Sequence, residues 1–275
     1  MLLIPQPEDK IVFLDIGQGD SILLQDGTSQ VLIDGGPGMT VLTRLSEELP
    51  WFDKTIDVVI STHPDQDHLE GLLHVLERYK VKLVILPQIP HTSQLQAEWL
   101  KKLQDAIERN NSAYRFAWKG ENLKFQDLNI EVLAPDQETL TEARDDKKTN
   151  DAAVIIRVDM HDRSLLLTAD AESQVEKHVV ETIPAEKLDV DILKAGHHGS
   201  KTSTTQQLLD AVSPSFVAIS VGAKNRYGHP HPTVLDRLKT ISYMRTDHSG
   251  SIRWIFKNNQ WLLSCSKTCM KEGNQ

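Results

Sequence analysis

Cysteine is scarce in this sequence, which limits the kinds of stabilising site that the chain can build. Only Cys265 and Cys269 occur in 275 residues, and both lie near the C-terminus. Their C-x-x-x-C spacing suits half of a zinc site, but no second pair of ligands lies nearby. We therefore expect two reduced thiols in a C-terminal tail.

Long apolar runs are absent as well. No run approaches the roughly 20 residues that a helix needs to cross a bilayer. The opening residues Met1–Pro5 are interrupted too soon for a signal peptide. We expect that nothing within this chain anchors or exports it, and that by itself it is cytoplasmic or soluble.

A surplus of positive charge is also missing, since 39 acidic residues outnumber 30 basic ones and the formal net charge is −9. A protein that binds nucleic acid through broad phosphate neutralisation usually carries a basic face, so this balance argues mildly against that mode. It leaves room for a local basic rim, or for metal ions that supply the positive charge.

The remaining composition is that of an ordinary globular protein, with 39% hydrophobic and 25% charged residues. The length suits one large domain or two small ones and supports a sizeable core. No linker-like stretch divides the chain. We therefore expect a single domain over residues 1–275, with a core from about residue 10 to about residue 265.

Short apolar runs separated by turn residues predict strands along most of the chain. The predicted strands are Lys10–Ile16, Asp20–Gln25, Gln30–Ile33, Asp57–Thr62, Lys82–Leu86, Ala152–Met160, Ser164–Thr168, Val190–Leu193, Phe216–Val221, Ser251–Phe256 and Trp261–Ser264, with a hairpin over Leu123–Leu133. Helical spacing follows His68, recurs from about Ser93 to Asn110 and begins again after Asp170. The polar stretch Asp136–Asn150 is either a mobile loop or a short helix with loops. A repeated order of strand, polar cluster, helix and strand favours two similar halves with sheets inside.

The densest group of candidate metal ligands follows the predicted strand Asp57–Thr62. His63, Asp65, Asp67 and His68 are imidazoles and carboxylates, both of which bind zinc or manganese. In an extended turn, the first two side chains point one way and the last two another, so this segment can feed two adjacent metals. The alternative is a polar loop whose aspartates cap the next helix, but capping needs only one carboxylate.

Two further groups come directly after apolar strands. Asp170 is either the N-cap of the next helix or a carboxylate that bridges two metals. His197 and His198 are adjacent on a glycine-flanked loop, so one can ligate a metal while the other contacts substrate or acts as an acid. His229 and His231 either line the entrance of the site or belong to a turn that prolines stiffen.

The other histidines and the loop cations are ordinary surface or packing residues by default. The isolated histidines are His74, His91, His161, His178 and His248. The loop cations near the clusters are Lys147, Lys148, Lys201, Lys224 and Arg226. Charged loops are usually just solvated, and phosphate binding is the alternative for these five.

Together these motifs resemble the metallo-β-lactamase superfamily and, within it, the hydrolase domain of the ComEC/Rec2 competence proteins. The resemblance runs from about Val12 to Trp254. It rests on Leu14–Ser21, Leu32–Gly36, Thr62–His68, Thr168–Glu172, Leu193–Ser200 and Ser220–Pro232, and Arg245–Asp247 with Gly250 fits too. No single motif would suffice alone.

The resemblance implies an α+β fold, a four-layer αββα sandwich, with a two-metal site between the edges of its sheets. It implies that His63 and Asp65 bind one divalent metal and that Asp67 and His68 bind the other. Asp170 would bridge the two. The metals are zinc or manganese.

The resemblance also gives roles to neighbouring residues. His198 would complete the second metal, and Asp34 would support the loop around Asp67 without binding metal. The chain departs from most of the superfamily in two places, each time with oxygen in place of nitrogen. Asp65 stands where a histidine is commoner, and Asn150 with Asp151 stands where many members have a histidine ligand. Harder ligands favour manganese over zinc, and the ComEC-like pattern shows the same departures.

The implied activity is hydrolysis by water that two metals activate, with single-stranded DNA as the favoured substrate, because the resembled domain is assigned to degrading the non-transported strand. Asp67 could orient that water as well as ligate metal. His197 would hold a phosphate oxygen or protonate the leaving group. Asn150, Asp151, Lys201, His229 and His231 are candidates for supporting the site or contacting substrate.

Three alternatives stay open. The same metals could hydrolyse a lactone, thioester, β-lactam or small phosphoester, and pocket shape would decide among them. A catalytically inactive binding module would keep the fold, although such a member is expected to lose ligands. Competence proteins of this type carry a membrane channel before the hydrolase domain, so this chain is either an excised domain with a membrane channel partner or a free-standing relative.

Overall fold

A computed structural model describes residues 8–89, 93–146 and 149–273 of the chain. His91, Lys147 and Lys148, which the sequence singled out, lie outside these residues. Within the described ranges, no helix combines the length and the apolar character that crossing a bilayer requires.

Strands and helices alternate along most of the chain. The strands are β1 Asp9–Phe13, β2 Ile22–Asp26, β3 Ser29–Ile33, β4 Thr55–Ile60, β5 Lys80–Leu86, β6 Ala113–Phe116, β7 Asn122–Lys124, β8 Leu128–Ala134, β9 Ile155–Met160, β10 Arg163–Leu167, β11 Ile192–Lys194, β12 Phe216–Ile219, β13 Ser242–Arg245, β14 Ile252–Lys257 and β15 Gln260–Cys265. The helices are α1 Thr40–Glu48, α2 Gln66–Arg78, α3 Gln94–Asn110, α4 Gln137–Asp146, α5 Ser173–Thr182, α6 Ala185–Leu188, α7 Gln206–Val212, α8 Pro232–Arg237 and α9 Thr246–Ser249, with 3-10 turns at Asn150–Ala152 and Gly196–Gly199.

The strands form two sheets. The eight-stranded sheet has the order β15-β14-β1-β2-β3-β4-β5-β6, and the seven-stranded sheet has the order β13-β12-β11-β10-β9-β8-β7. From β3 to β6 in the first sheet, and from β10 to β13 in the second, neighbouring strands run parallel. Parallel strands end at the same edge of a sheet, so the loops that follow them are brought together.

The apolar residues sort into layers because successive side chains of a strand face opposite sides. Ile192 of β11 lies in the core between the sheets, and the next residue, Leu193, packs against helices. Val41, Leu72 and Leu103, from α1, α2 and α3, cover the outer face of the eight-stranded sheet. Helices α5, α7 and α8 cover the other sheet in the same way. The predicted αββα sandwich is confirmed.

The described part of the polar stretch Asp136–Asn150 contains the short helix α4, so a stretch that is all loop is excluded. The prediction of two reduced thiols is wrong, because Cys265 and Cys269 form a disulfide. The reason is the path of the chain after β15, which folds back along α9. There, the backbone N–H of Lys267 donates to the carbonyl of Ser249 at 3.0 Å.

Candidate metal centre

The candidate ligands meet where the parallel strands of both sheets end. His63, Asp65, Asp67 and His68 lie between β4 and the first turn of α2. Asp170 follows β10 in the other sheet, and the paired histidines follow β11. Because strand ends are rigidly held, the scaffold fixes these side chains before any ligand arrives.

Asp34 fixes the orientation of two of the imidazoles. Its Oδ2 atom lies 2.8 Å from Nδ1 of His68, and it accepts a bond of 2.6 Å from the Thr62 hydroxyl. A carboxylate only accepts, so Nδ1 of His68 carries the proton. The Thr62 hydroxyl gives its own proton to Asp34, so it must accept from Nδ1 of His63 at 2.9 Å. Both rings therefore present Nε2 to the site.

His198 is oriented in the same way from the other sheet. Its Nδ1 donates to the carbonyl of Ser220 at 3.0 Å, which leaves Nε2 facing Asp170. The Nε2 atoms of His68 and His198 lie 3.3 Å and 3.5 Å from the Asp170 carboxylate, and that of His63 lies 3.8 Å away. The Nε2 atoms of three imidazoles thus converge on one buried carboxylate.

The site holds buried polar atoms that lack a hydrogen-bond partner among the described residues. These atoms are Nε2 of His63, His68 and His198, and Oδ1 of Asp170. A buried polar group without a partner costs free energy, so such a cluster normally serves a ligand. Imidazole nitrogens and carboxylate oxygens are the donors that zinc and manganese take, and the cluster fits such ions.

The two remaining aspartates of the first cluster flank this group. Oδ2 of Asp65 lies 3.8 Å from Nε2 of His63, and Oδ2 of Asp67 lies 3.5 Å from Nε2 of His198. Asp65 immediately precedes α2, but its side chain makes no capping bond. Its Oδ1 atom instead accepts from the side chain of Gln96 at 2.7 Å. Helix capping therefore does not account for this carboxylate.

Mutual charge sets the pKa values of this cluster. Burial opposes ionisation of Asp170, but the neighbouring His198 and His68 outweigh it and hold the pKa of Asp170 well below its ordinary value. Burial also disfavours the imidazolium of His198, yet Asp170 and Asp20 raise its pKa to about 9. Burial and His68 together lower the pKa of His63. The group is thus a tightly coupled set of charges that metal ions would reorganise.

His197 points away from its neighbour. His197 and His198 both adopt left-handed backbone conformations, with φ of 46° and 54°, and their ring planes are 72° apart. The side chain of His197 is 27% exposed, while that of His198 is buried, and Nε2 of His197 lies 3.5 Å from Asp170. One histidine thus faces the interior and the other faces the opening.

The sequence left open that Asp170 is the N-cap of α5. It does not cap this helix, because Glu172 occupies the N-cap position.

The structure places the other candidates around this centre. Asn150 begins a 3-10 turn and Asp151 is buried in it, next to Thr149. Gln96 donates both to Thr149 and to Asp65, which ties this turn to the first cluster. Lys201 is exposed.

His229 and His231 differ in position. The His229 ring is 5.7 Å from the ring of His197, so it lies at the edge of the centre. His231 caps α8, where its Nδ1 accepts from the backbone of Thr233 at 3.2 Å. Among the histidines taken as packing residues, His161 stacks on Phe256 at 3.8 Å between ring centroids.

Two residues at the centre were not predicted from the sequence as residues of the site. Asp20 and Lys194 form a buried ion pair, and Oδ1 of Asp20 lies 3.4 Å from Nδ1 of His198. Burial opposes ionisation of Asp20, but Lys194 and His198 hold its pKa well below the ordinary range. The lysine at the end of an apolar strand could have indicated this pair. A lysine is almost never fully buried without a partner, so a lysine in a buried strand calls for a nearby carboxylate.

Within the part of the chain that the structure describes, three groups of side chains have atoms close enough to share an ion. The groups are Asp67 with His68 and His198, Asp20 with Asp170 and His198, and Asp34 with His63 and His68. The third group is the weakest candidate, because both oxygens of Asp34 already accept hydrogen bonds. Asp34 therefore fixes the rings of His68 and, through Thr62, of His63, and is itself a poor candidate for a ligand.

Comparison with known proteins places this fold and centre in a family. Residues 14–222 match the Metallo-beta-lactamase superfamily. The chain belongs to the metallo-β-lactamase superfamily. It is 32% identical over 271 residues to ComE operon protein 3 of Bacillus subtilis, which covers 91% of this chain and 33% of that protein. It is 28% identical over 270 residues to Recombination protein 2 of Haemophilus influenzae, with 96% and 31% covered.

Among solved structures, this member of the superfamily is similar to YhfI, a metallo-beta-lactamase fold protein of Bacillus subtilis. The TM-score is 0.59 at 12% identity, over 90% of this chain and 100% of YhfI. The chain spans about a third of the length of the two relatives above. The expected resemblance to ComEC/Rec2 competence proteins is confirmed, and the chain is a metal-dependent hydrolase of the metallo-β-lactamase fold.

Proposed function

We propose that this hydrolase is a phosphodiesterase that cleaves single-stranded DNA with two divalent metal ions, zinc or manganese. The observation that carries the metal assignment is the convergence of three oriented imidazoles on Asp170. His63, His68 and His198 each direct an unpartnered Nε2 atom into one buried space. Imidazole nitrogens that lack a hydrogen-bond partner and converge on a carboxylate are the donor set that a divalent metal ion takes.

The ligands divide between two positions. His63 and Asp65 would hold one ion, whereas Asp67, His68 and His198 would hold the other. Asp170 would contact both, since its carboxylate lies 3.8 Å from Nε2 of His63 in one set and 3.5 Å from Nε2 of His198 in the other. When bound, divalent ions lower the pKa of a coordinated water and stabilise negative charge on a phosphate. The carboxylate at Asp65, where a histidine is commoner in the superfamily, favours manganese.

The residues of the chain itself would orient the substrate and move its protons. His197 is partly exposed and lies 3.5 Å from Asp170, so it can hold a phosphate oxygen or protonate the leaving oxygen. His229 stands next to it at the opening. Burial and the neighbouring His197 lower the pKa of His229 to about 4, so His229 is neutral near pH 7 and can accept a hydrogen bond.

DNA is the proposed substrate because the relatives include proteins named for competence and recombination. One of them, Competence protein ComA of Neisseria gonorrhoeae, is 27% identical over 256 residues. The relatives are about three times as long as the matched part. We therefore propose that the chain either works with a membrane channel, as part of a longer competence protein, or acts as a free-standing relative.

The test combines metal analysis with cleavage assays. Purified protein should take up about two manganese or zinc ions per chain, and it should degrade single-stranded DNA faster than duplex DNA of the same sequence. The variant Asp170→Ala should lose cleavage of both DNA and a generic phosphodiester, while the exposed control Asp210→Asn keeps it. Intact cleavage by Asp170→Ala would refute the mechanism. Hydrolysis of a β-lactam, lactone or thioester in place of phosphodiesters would refute single-stranded DNA as the proposed substrate.

A further inference from the structure

A basic aromatic loop, residues 222–231, lies beside the metal centre. It carries Lys224, Arg226 and Tyr227 and contains no acidic residue, in a chain whose net charge is −9. All three side chains are exposed, and Tyr227 is 56% exposed. In the described part of the chain, neither Lys224 nor Arg226 pairs with a carboxylate. Their charges are therefore available to an anionic ligand.

Asn225 holds this loop in shape. Its side-chain amide donates to the carbonyls of Gly222 and His229, both at 2.8 Å. Its side-chain oxygen accepts from the backbone N–H groups of Tyr227 and His229, at 3.2 Å and 2.9 Å. At the start of the loop, the N–H of Gly222 donates to the side chain of Gln18 at 3.2 Å. A loop that is bonded in this way loses little conformational entropy when it binds a ligand.

The rings of the loop form a row that leads from solvent to the metal centre. The Tyr227 ring lies nearly parallel to that of His229, with 5.8 Å between centroids and 13° between planes. His229 in turn neighbours His197, whose Nε2 lies 3.5 Å from Asp170. The guanidinium carbon of Arg226 is 5.2 Å from the Tyr227 centroid, and Nη2 donates to the Tyr227 hydroxyl at 3.2 Å. An aromatic face and a cation are thus presented together.

An open pocket of about 380 Å³ connects the loop with the ligand cluster. Asp67, a candidate metal ligand, lies in the same pocket as Lys224, Arg226 and Tyr227. The other lining residues are Gln18, Pro37, Gln66 and Asn225. A phosphate bound near Asp67 would therefore have the two cations and the exposed ring within its own pocket.

We propose that Tyr227 is a stacking platform for the nucleobase next to the cleaved phosphate, and that Arg226 and Lys224 bind the adjoining phosphates. This inference rests on the proposed function, because it names how the same site selects its substrate. Exposed aromatic rings beside cations are how proteins bind single strands without reading sequence. A base that stacks on protein must leave its own stack, so the platform selects single-stranded over duplex DNA.

Equilibrium binding tests the platform without any chemistry. Fluorescence anisotropy of a labelled oligothymidylate is measured in EDTA, so that no cleavage occurs. Tyr227→Ala should weaken binding roughly 5- to 100-fold, as stacking of one base requires, whereas Tyr227→Phe should bind like the wild type. Arg226→Gln should reduce the slope of log K against log salt by about 0.7, the value for one phosphate contact with a single strand.

Matched controls separate the platform from general surface effects. Tyr114 is similarly exposed, at 58%, but lies on edge strand β6 outside the pocket, so Tyr114→Ala should bind like the wild type. An oligonucleotide that lacks all its bases should bind wild type and Tyr227→Ala equally. Unchanged binding by Tyr227→Ala, or an equal loss with the baseless oligonucleotide, would overturn the proposal. So would a wild type that does not bind the oligothymidylate.

Kinetics with manganese distinguish the failure of this inference from the failure of the proposed function. On single-stranded DNA, Tyr227→Ala should raise KM roughly 5- to 100-fold, whereas Tyr114→Ala should keep the wild-type KM. On bis(p-nitrophenyl) phosphate, a small substrate without nucleobases, Tyr114→Ala should retain the wild-type kcat. If the wild type cleaves neither substrate but its binding still depends on Tyr227, the phosphodiesterase proposal fails and the platform stands. If the wild type cleaves single-stranded DNA and Tyr227→Ala cleaves it with the same KM, the platform proposal fails and the phosphodiesterase proposal stands.

Discussion

Lys194 pairs with Asp20 across the two sheets, directly beside the carboxylate of Asp170. Lys194 ends β11 in the seven-stranded sheet, and Asp20 precedes β2 in the eight-stranded sheet. Both side chains are buried, and Nζ of Lys194 also donates to the carbonyl of Ala169 at 2.8 Å. The ammonium therefore holds the residue before Asp170 and joins the sheets at the place where the ligands converge.

The first prediction concerns the stability of this pair. Lys194→Met leaves the Asp20 carboxylate buried without its partner, so we expect a loss of about 3 to 5 kcal/mol in the free energy of unfolding. Urea denaturation in EDTA measures it. The control is Lys82→Met, which breaks an exposed pair with Asp57 and should change stability by less than about 1 kcal/mol. Equal effects of the two substitutions would contradict a buried charge pair.

The second prediction concerns Asp34, which orients His68 directly and His63 through Thr62. Asp34→Asn removes one of the acceptors, so we expect metal affinity to fall about 10- to 100-fold. Competition with a chromophoric chelator measures the affinity. Asp26→Asn is the matched control, since Asp26 is another buried carboxylate that accepts backbone bonds, from Asp127 and Leu128. An equal loss of affinity in both variants would show that Asp34 has no special role.

The third prediction concerns the pH dependence of stability at the carboxylate of Asp136. Burial opposes ionisation of Asp136, but bonds from His178 and Lys119 hold its pKa well below the ordinary value. A lowered pKa in the folded state gives stability that is complete above the unfolded value of about 4 and is lost as pH falls through the folded value. Asp136→Asn should cost about 1 kcal/mol at pH 7.

The cost of Asp136→Asn should shrink as the solution is acidified below pH 4, because the carboxylate then binds a proton in the unfolded wild type and remains charged in the folded one, which favours unfolding. Denaturation at a series of pH values from 7 to 2 follows this difference. The exposed carboxylate of Asp210 provides the reference, and Asp210→Asn should change stability by no more than about 0.5 kcal/mol at any of these values. A cost for Asp136→Asn that is the same at pH 2 and pH 7 would speak against the ion pair.

The fourth prediction concerns the disulfide between Cys265 and Cys269. It closes a short loop, for which the chain-entropy model gives a stabilisation of roughly 2 kcal/mol. Reductant should therefore lower Tm, and the double variant Cys265→Ser/Cys269→Ser should show the lower Tm with no response to reductant. A wild-type Tm that does not change when reductant is added would contradict stabilisation by this disulfide. Disulfides persist in oxidising compartments, so the redox state of this pair in cells reports where the domain resides.

Local sequence was sufficient to single out the first group of candidate ligands. His63, Asp65, Asp67 and His68 fall within six residues after an apolar run, and no structural role needs so many ligand types there. The alternation of apolar runs also predicted most strands of the two sheets. The paired histidines were found because two adjacent imidazoles on a glycine-flanked loop cannot both face a core.

Long-range pairing was beyond local patterns. Asp20 reads as the start of a strand and Lys194 as the end of another, and only the packing of two sheets brings them together. The disulfide was missed for a related reason, since only the return of the tail along α9 turns the spacing of two cysteines into a loop. Tyr227 carries no signal in the sequence beyond the basic residues beside it.

The left-handed turn at His197 and His198 continues through Gly199, whose φ is 83°. For residues other than glycine this conformation costs about 1 to 2 kcal/mol each, and here it separates two neighbouring side chains into inner and outer positions. Under the roles proposed above, a single substitution at position 197 would change the contact with substrate and leave the inner position 198 as it is. The turn thus makes substrate contact and metal binding separately mutable at two adjacent positions.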